Sequence, residues 1–145
     1  MYKHILIPTD GSDLATEATG KALAFAQSVG AEVTILTVVE PFHVITSEPA
    51  QLATTRDAWE RHAKESTDGL LARTAKQAEA LGVRCHTAVV EAEHPYEAII
   101  AGAVGRGCDL IAMASHGRRG IAAILIGSQT LKVLTHSRIP VLVYR

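Results

Sequence analysis

The sequence is poor in several residue types, and each shortage argues against a class of protein. It has only two cysteines in 145 residues, Cys85 and Cys108, and no C-x-x-C pair, which fits a reducing cytosol better than a secreted disulfide scaffold. Its formal net charge of -1 provides no basic field for nonspecific binding of nucleic acid. Aromatic residues make up 4% of the chain and form no stacking platform for single strands. Nucleic acid is therefore not expected as a partner.

Long apolar runs are also missing. No stretch approaches the roughly 18 residues of a membrane span, and the N-terminal residues show neither the apolar core nor the cleavage site of a signal peptide. What the chain does have is 48% hydrophobic residues in the length of one ordinary domain, which is enough for a single sizeable core. We expect one cytoplasmic domain over residues 1–145, with no membrane as a partner.

Charge is distributed unevenly along the chain. Residues 1–105 carry 8 Lys and Arg against 14 Asp and Glu, whereas residues 106–145 carry 6 against Asp109 alone. The last third is thus locally cationic. It forms either a basic surface that balances an acidic one or an anion-binding site.

The spacing of apolar residues predicts alternating strands and helices. Short apolar runs predict strands at residues 5–7, 33–39, 83–90, 110–113 and 141–144. Helical spacing between these runs predicts helices at 15–29, about 51–81, 95–105 and 128–136. Gly30 and Gly82 are placed to end the first two helices, and Pro95 to begin the third. Residues 40–49 contain two prolines and no helical stripe, and predict a mobile loop.

Strict β-α alternation predicts an α/β fold, namely an open, Rossmann-like parallel sheet of five strands with helices on both faces. The strands are so apolar that we expect both of their faces to be covered. For the common strand order 3-2-1-4-5, ligands bind beyond the carboxyl ends of the strands, between strands one and four. The segments after Ile7 and after Met113 should therefore decide the function.

The first of these segments contains a carboxylate at the end of a strand. Asp10 is placed to hydrogen-bond a ribose hydroxyl or to help hold a divalent cation, and Gly11 lets the chain turn. The alternative is a plain βα turn in which Ser12 or Asp13 caps the helix. Ser12 lies in no G-x-S-x-G elbow, which argues against a hydrolase triad.

The second segment has the composition of a phosphate cradle. Glycines 117, 120 and 127 permit close approach of N–H groups to an anion, and a helix that begins near Ser128 adds its positive end. Ser128 either hydrogen-bonds a phosphate or caps its own helix. The segment is neither a Walker A loop nor a G-x-G-x-x-G fingerprint. His116 lies inside it and is expected to orient the loop, whereas the other histidines, including His86 in a strand, lack metal-ligand spacing.

Three segments of the chain together resemble the universal stress protein family over essentially the whole length. They are ILIPTDGS at 5–12, CDLIAMASHG at 108–117, and Gly127-Ser128 through PVLV at 140–143. The nucleotide-binding branch of that family carries G-x2-G-x9-G-[ST]. The corresponding positions here are Ala114, Gly117, Gly127 and Ser128, with the spacing kept.

Two departures from the family pattern bear on the ligand. Ala114 replaces the first glycine and adds one methyl group; if that methyl limits affinity, restoring glycine should tighten binding. Ala122 and Ala123 stand where relatives frequently have basic or polar residues, while Arg118 and Arg119 remain.

The resemblance implies a site for ATP, or for AMP or ADP, with Mg²⁺ contacted by Asp10. In this sequence the implied adenosine end consists of Pro8, Thr9, Asp10 and the backbone of Val38. The remaining implied site residues are Met113, Ala114, His116, Gly117, Arg118, Gly127, Ser128 and Gln129.

Three functions stay open at this point. The first is an ATP-binding regulatory module of the stress response that signals to a protein partner, with slow or partner-dependent hydrolysis because no general base is evident. The second is a dimeric interaction protein of the same fold that binds no nucleotide, which Ala114 favours. The third is an ATP-consuming enzyme that uses the same cleft, and no residue of the sequence supports it.

The last apolar run, Ile139 to Tyr144, predicts a homodimer. It should form an edge strand next to strand four, and an apolar edge exposes unpaired N–H and C=O groups. Pairing with its own copy closes the assembly, and the family resemblance implies the same dimer. The alternative is a monomer in which a loop or the 40–49 segment covers the edge.

Overall fold

The computed structural model describes residues 1–42, 49–117 and 126–145, with the side chains of all of these except 49–53. Strands and helices alternate throughout, as predicted. Their bounds are β1 (His4–Pro8), α1 (Asp13–Val29), β2 (Glu32–Val39), α2 (Pro49–Ala80), β3 (Cys85–Glu91), α3 (Pro95–Gly105), β4 (Leu110–Ala114), α4 (Ser128–His136) and β5 (Val141–Tyr144). Within the described ranges, no helix combines the length and the apolar character needed to cross a bilayer.

All five strands are parallel and lie in the order β3-β2-β1-β4-β5, which confirms the predicted topology. The central strand β1 is almost completely buried, with Ile5, Leu6 and Ile7 no more than 1% exposed. One apolar cluster joins the sheet to α1 and α2, and a second joins its other face to α3 and α4. The sheet thus lies between two helical layers, with β1 beside both β2 and β4.

The expectation that every strand is covered on both faces is wrong for the two edge strands. In β3 the side chains of His86, Thr87, Val89 and Glu91 are exposed, and all of β5 is only half-buried. The helices pack mainly over the three central strands, and an edge strand has a neighbour on one side only. The polar residues that interrupt β3 are the sequence counterpart of this exposure.

Helices α1, α2 and α3 begin or end at the capping and stop residues that the sequence predicts. Ser12 caps α1, with its Oγ accepting from the N–H of Ala15, and Gly30 ends the helix with a φ of 70°. Gly82 follows α2 with a φ of 69°. Pro95 occupies the first turn of α3, where its missing N–H costs nothing.

Helix α2 begins at Pro49, two residues earlier than predicted. Its described buried residues lie in its second half, where Thr67, Leu71, Thr74 and Ala78 form a stripe at helical spacing. Of the predicted loop at 40–49, residues 43–48 lie outside the described part of the chain.

A single carboxylate fixes the start of β1 against the turn before β4. The N–H groups of Lys3 and His4 donate to Asp109 at 2.9 and 3.1 Å. Burial opposes ionisation of this carboxyl, but these N–H groups outweigh it and lower the pKa of Asp109. The lowered pKa means that the ionised form stabilises the fold above the ordinary pKa near 4, and that this stabilisation is lost as the pH falls through the folded value.

Asp109→Asn should therefore destabilise the protein at pH 7 by about 1 kcal/mol, which is less than the roughly 1.5–3 kcal/mol of bonds to a charged group because the carboxylate is partly exposed. The difference from wild type should shrink as the pH falls from about 4 through the lowered pKa of the folded protein, below which the wild-type carboxyl is also neutral. Urea unfolding at several pH values measures both effects. Asp68→Asn is the matched control, since Asp68 pairs with Lys64 on the exposed surface of α2; an equal loss in both variants would contradict the anchoring role.

Candidate functional site

The loops after β1 and β4 meet at the carboxyl edge of the sheet. Gly117 lies so close to the β1–α1 loop that a Cβ built on it would approach Oδ2 of Asp10 to 2.7 Å. No side chain fits that space without displacing the carboxylate. The two segments selected in the sequence are thus brought into contact, at the point where the strand order reverses.

The β1–α1 loop is held in place by its own polar groups. The N–H of Thr9 donates to the carbonyl of Leu36, and the hydroxyl of Thr37 donates to the carbonyl of Thr9. The N–H of Ser12 donates to Oδ1 of Asp10 at 2.9 Å, and Gly11 between them has a φ of 77°. These bonds present the Asp10 carboxylate at the edge in one orientation.

The side chains at the end of β4 point into the protein. Met113 is 7% exposed and packs in the cluster under α3 and α4. Ala114, also 7% exposed, packs with Ala15 and Ala18 of α1. The methyl group by which this chain differs from the family motif is therefore buried against α1.

Helix α4 begins at the same edge without a side-chain cap. Its N-cap is Gly127 and Ser128 is its first residue, so the capping alternative for Ser128 is wrong. The first hydrogen bond of the helix runs from Leu131 to Gly127. The N–H groups of Ser128, Gln129 and Thr130 have no acceptor among the described residues. They form an electropositive end that an anion would satisfy.

Two further bonds fix this helix end to the sheet. The N–H of Gly127 donates to the carbonyl of Ser115 at 2.7 Å, and the Thr130 hydroxyl donates to the carbonyl of Ala114 at 2.9 Å. A Cβ on Gly127 would lie 3.2 Å from the Ser115 oxygen and 3.3 Å from Cα of His116. Close approach rather than backbone angle therefore favours glycine here, because its φ of -69° suits any residue while a Cβ would force the backbone of Ser115 and His116 to shift by a few tenths of an ångström.

His116 lies against Gly127 and has one unsatisfied ring nitrogen. Its Nδ1 is 2.9 Å from the hydroxyl of Ser115. Its Nε2 is shielded from solvent and has no partner among the described residues. A buried polar atom without a partner costs about 1–3 kcal/mol, and its position beside the open end of α4 suggests that a ligand group supplies the missing bond.

The other predicted site residues differ in whether their side chains are free to contact a ligand. Pro8 and Val38 lie at the carboxyl ends of β1 and β2, as expected for an adenosine end. The side chain of Gln129 is already engaged, because its Oε1 accepts from the N–H of Tyr96 in α3. Arg118 falls outside the described residues, as do the residues at 119, 122 and 123.

Sequence reasoning missed three polar residues that hold the edge together: Thr37, Ser115 and Thr130. Each is 6% exposed or less. The available signal was the position of Thr130 in the first turn of a helix that opens on glycine, where a hydroxyl can reach back to the preceding strand.

His86 is exposed on the edge strand β3, and its contact is that of a surface residue. Its Nε2 lies 3.1 Å from Glu32, at the amino end of the sheet and away from the candidate site. This hydrogen bond lowers the pKa of the Glu32 carboxyl.

Together, the parallel sheet and the glycine-bounded loop at its switch point define a Rossmann-like α/β domain. The sequence model of the universal stress protein family matches residues 1–145, and the chain belongs to that family. It is 35% identical over 150 residues to universal stress protein MJ0531 of Methanocaldococcus jannaschii, covering 100% of this chain and 83% of that protein. The structure of MJ0577 from the same organism is 32% identical and superposes with a TM-score of 0.80, covering 99% of this chain and 95% of the other.

Two more distant structures share the fold and were solved with nucleotides. One is a universal stress protein in complex with cAMP, 23% identical with a TM-score of 0.73. The other is a universal stress protein from Archaeoglobus fulgidus in complex with dAMP, 18% identical with a TM-score of 0.64. These likenesses concern the fold.

The buried methyl of Ala114 leads to a prediction. Ala114→Gly should lower the free energy of unfolding by about 1–2 kcal/mol, through lost packing and a more flexible strand. It should leave affinity for ATP, the ligand that the resemblance implies, within about twofold of wild type, since a twofold change is only about 0.4 kcal/mol. Ala112→Gly, two residues earlier in the same buried strand, is the control for stability. Tighter ATP binding in Ala114→Gly alone would show that the methyl does limit the site.

Proposed function

We propose that this protein binds an adenine nucleotide, ATP before AMP or ADP, at the carboxyl edge of β1 and β4. Its role would be that of a cytoplasmic regulatory module of the stress response that signals to a protein partner and hydrolyses ATP slowly or not at all. One observation carries the proposal most directly: the uncapped first turn of α4 lies beside the unsatisfied Nε2 of His116.

The phosphate end of the nucleotide would lie at this helix terminus. Three N–H groups that lack acceptors within the described ranges, at Ser128, Gln129 and Thr130, suit the oxygens of a phosphate. The exposed Ser128 stands beside them and can add its hydroxyl as a donor. If the Ser115 hydroxyl donates to Nδ1 of His116, the proton sits on Nε2, which then becomes a further donor. Arg118 would add charge from the loop.

Asp10 explains why magnesium belongs to the proposal. A carboxylate close to Gly117 would repel phosphate oxygens unless a cation lies between them. Mg²⁺ uses one or two carboxylates together with substrate phosphates and water, which is what this edge offers. The adenosine would extend over Pro8, Thr9 and the backbone of Val38.

The alternative, a member of the family that binds no nucleotide, draws on Ala114. Its methyl is buried against Ala15 and Ala18, which weakens that argument. The close approaches at Gly117 and Gly127 support the nucleotide proposal, because glycine at these positions also lets the backbone come close to a ligand.

The first test is binding itself. We expect micromolar affinity for ATP with magnesium, on the order of -8 kcal/mol, measured by titration calorimetry. Ligand at about 100 times its dissociation constant should stabilise the protein by about 2.7 kcal/mol and raise the melting temperature by roughly 5–10 °C. No heat and no shift would reject the nucleotide proposal.

Gly127→Val tests where the phosphates lie. A valine there presses on Ser115 and His116 and should weaken ATP binding at least tenfold while affecting adenosine less. Gly105→Val is the matched control, since a Cβ on Gly105 meets nothing within 4 Å. If the two variants bind ATP equally well, the phosphates lie elsewhere.

We also propose a homodimer formed by pairing of β5 with its copy. β5 lies at one edge of the sheet next to β4, as this requires, and its apolar residues are only half-buried. An isologous pairing would cover this edge in a closed assembly.

Replacing Val141 and Val143 by lysine should produce monomers, because charge on a strand edge opposes pairing. Light scattering at micromolar concentration gives the mass, and circular dichroism checks that the variant is folded, since Val141 also packs in the core. Lysine at Val89, exposed on the opposite edge strand, is the control and should leave the dimer intact. A wild type of monomer mass, or a dimer that survives both lysines, would refute the interface.

A further inference from the structure

Helix α3 is capped by a side chain from another helix. Its N-cap residue, His94, makes no side-chain capping bond. Instead, the N–H of Tyr96 in the first turn donates to Oε1 of Gln129 at 3.1 Å. Gln129 belongs to the first turn of α4, so one residue connects the amino ends of both helices.

We propose that Gln129 is a positioning residue that couples nucleotide occupancy at α4 to the first turn of α3, where Tyr96 reports it at the surface. This inference rests on the proposed function, because it concerns the effect of an anion bound at the open end of α4.

The first turn of α4 is held at two points that do not use its own N–H groups. Thr130 bonds to the carbonyl of Ala114 at the sheet, and Gln129 bonds to Tyr96 at α3. The N–H of Gln129 remains without an acceptor among the described residues. The backbone of Gln129 would thus bind the ligand while its side chain binds α3, so ordering by one interaction favours the other. Such coupling is reciprocal.

Tyr96 lies at an exposed contact between α3 and α4, where the coupling would change the surface of the protein. The Tyr96 ring lies 5.2 Å from the ring of His136, and Nζ of Lys132 lies 5.4 Å from its centroid. The ring of His94 lies 6.5 Å from the Tyr96 ring. Lys132, His136 and His94 are all exposed, so a change in the spacing of the two helices alters a surface that solvent and other proteins can reach.

The test monitors the amide of Tyr96 by hydrogen exchange, with and without ATP and magnesium, alongside calorimetry. In wild type, ATP should slow exchange of this amide about tenfold, within the usual range of coupling between sites. In Gln129→Leu the amide should exchange fast whether or not ATP is present, and ATP affinity should fall about tenfold. Gln129→Glu keeps an acceptor and should restore protection of the amide in the free protein.

Gln27→Leu is the matched control. Gln27 also joins a helix to the backbone of another segment, since its Nε2 donates to the carbonyl of Leu81 just after α2. It should lose similar stability yet keep wild-type ATP affinity and wild-type protection of Tyr96.

The outcomes separate the two proposals. If wild type binds ATP but Gln129→Leu binds it equally well, or ATP leaves the Tyr96 amide unchanged, the coupling is wrong and the proposed function stands. Equal effects of Gln129→Leu and Gln27→Leu would likewise reject it, since loss of stability alone would then account for both. If wild type gives no heat with ATP, both proposals fail.

Discussion

The candidate site depends on the first turn of α4 having no cap of its own. The first-turn N–H groups of three helices differ in how they are capped. α1 is capped by its own Ser12 and α3 by Gln129 from a neighbour, whereas α4 opens on Gly127 and keeps three N–H groups that no acceptor in the described part of the chain satisfies. These open donors lie at the carboxyl edge of the sheet, where the proposed nucleotide would bind.

Close approach, rather than unusual backbone angles, defines the rest of the site. Gly117 leaves room for the Asp10 carboxylate, and Gly127 leaves room for Ser115 and His116. The two glycines of the family motif therefore stand where the backbone comes close to another segment of the chain. At the first motif position, Ala114 replaces glycine without a steric conflict. Its methyl packs against α1, so no close approach requires glycine on that side of the strand.

The fold could be predicted because its signals are local and repeated. Apolar runs, helical stripes and stop residues such as Gly30 each act within a few residues, and strict alternation leaves few topologies. The errors arose where burial depends on position in the sheet, as in β3, or where a polar side chain has two available partners. Ser128 had the composition of a cap, but the chain placed Gly127 in that position. Gln129 was correctly located at the first turn of α4, but its partner lies 33 residues away and no periodicity shows it.

The bond between Gln129 and Tyr96 also sets an order of assembly. During synthesis α3 is made before the residue that completes its first turn, and β1 waits even longer, since the N–H of Lys3 meets Asp109 across 106 residues. Contacts of such long separation form late, because loop closure must precede them. The amino-terminal two thirds of the chain can thus acquire helices and part of the sheet while still lacking the edge between β1 and β4. The edge between β1 and β4, where the candidate site lies, is therefore completed only when the last third of the chain docks against the rest of the sheet.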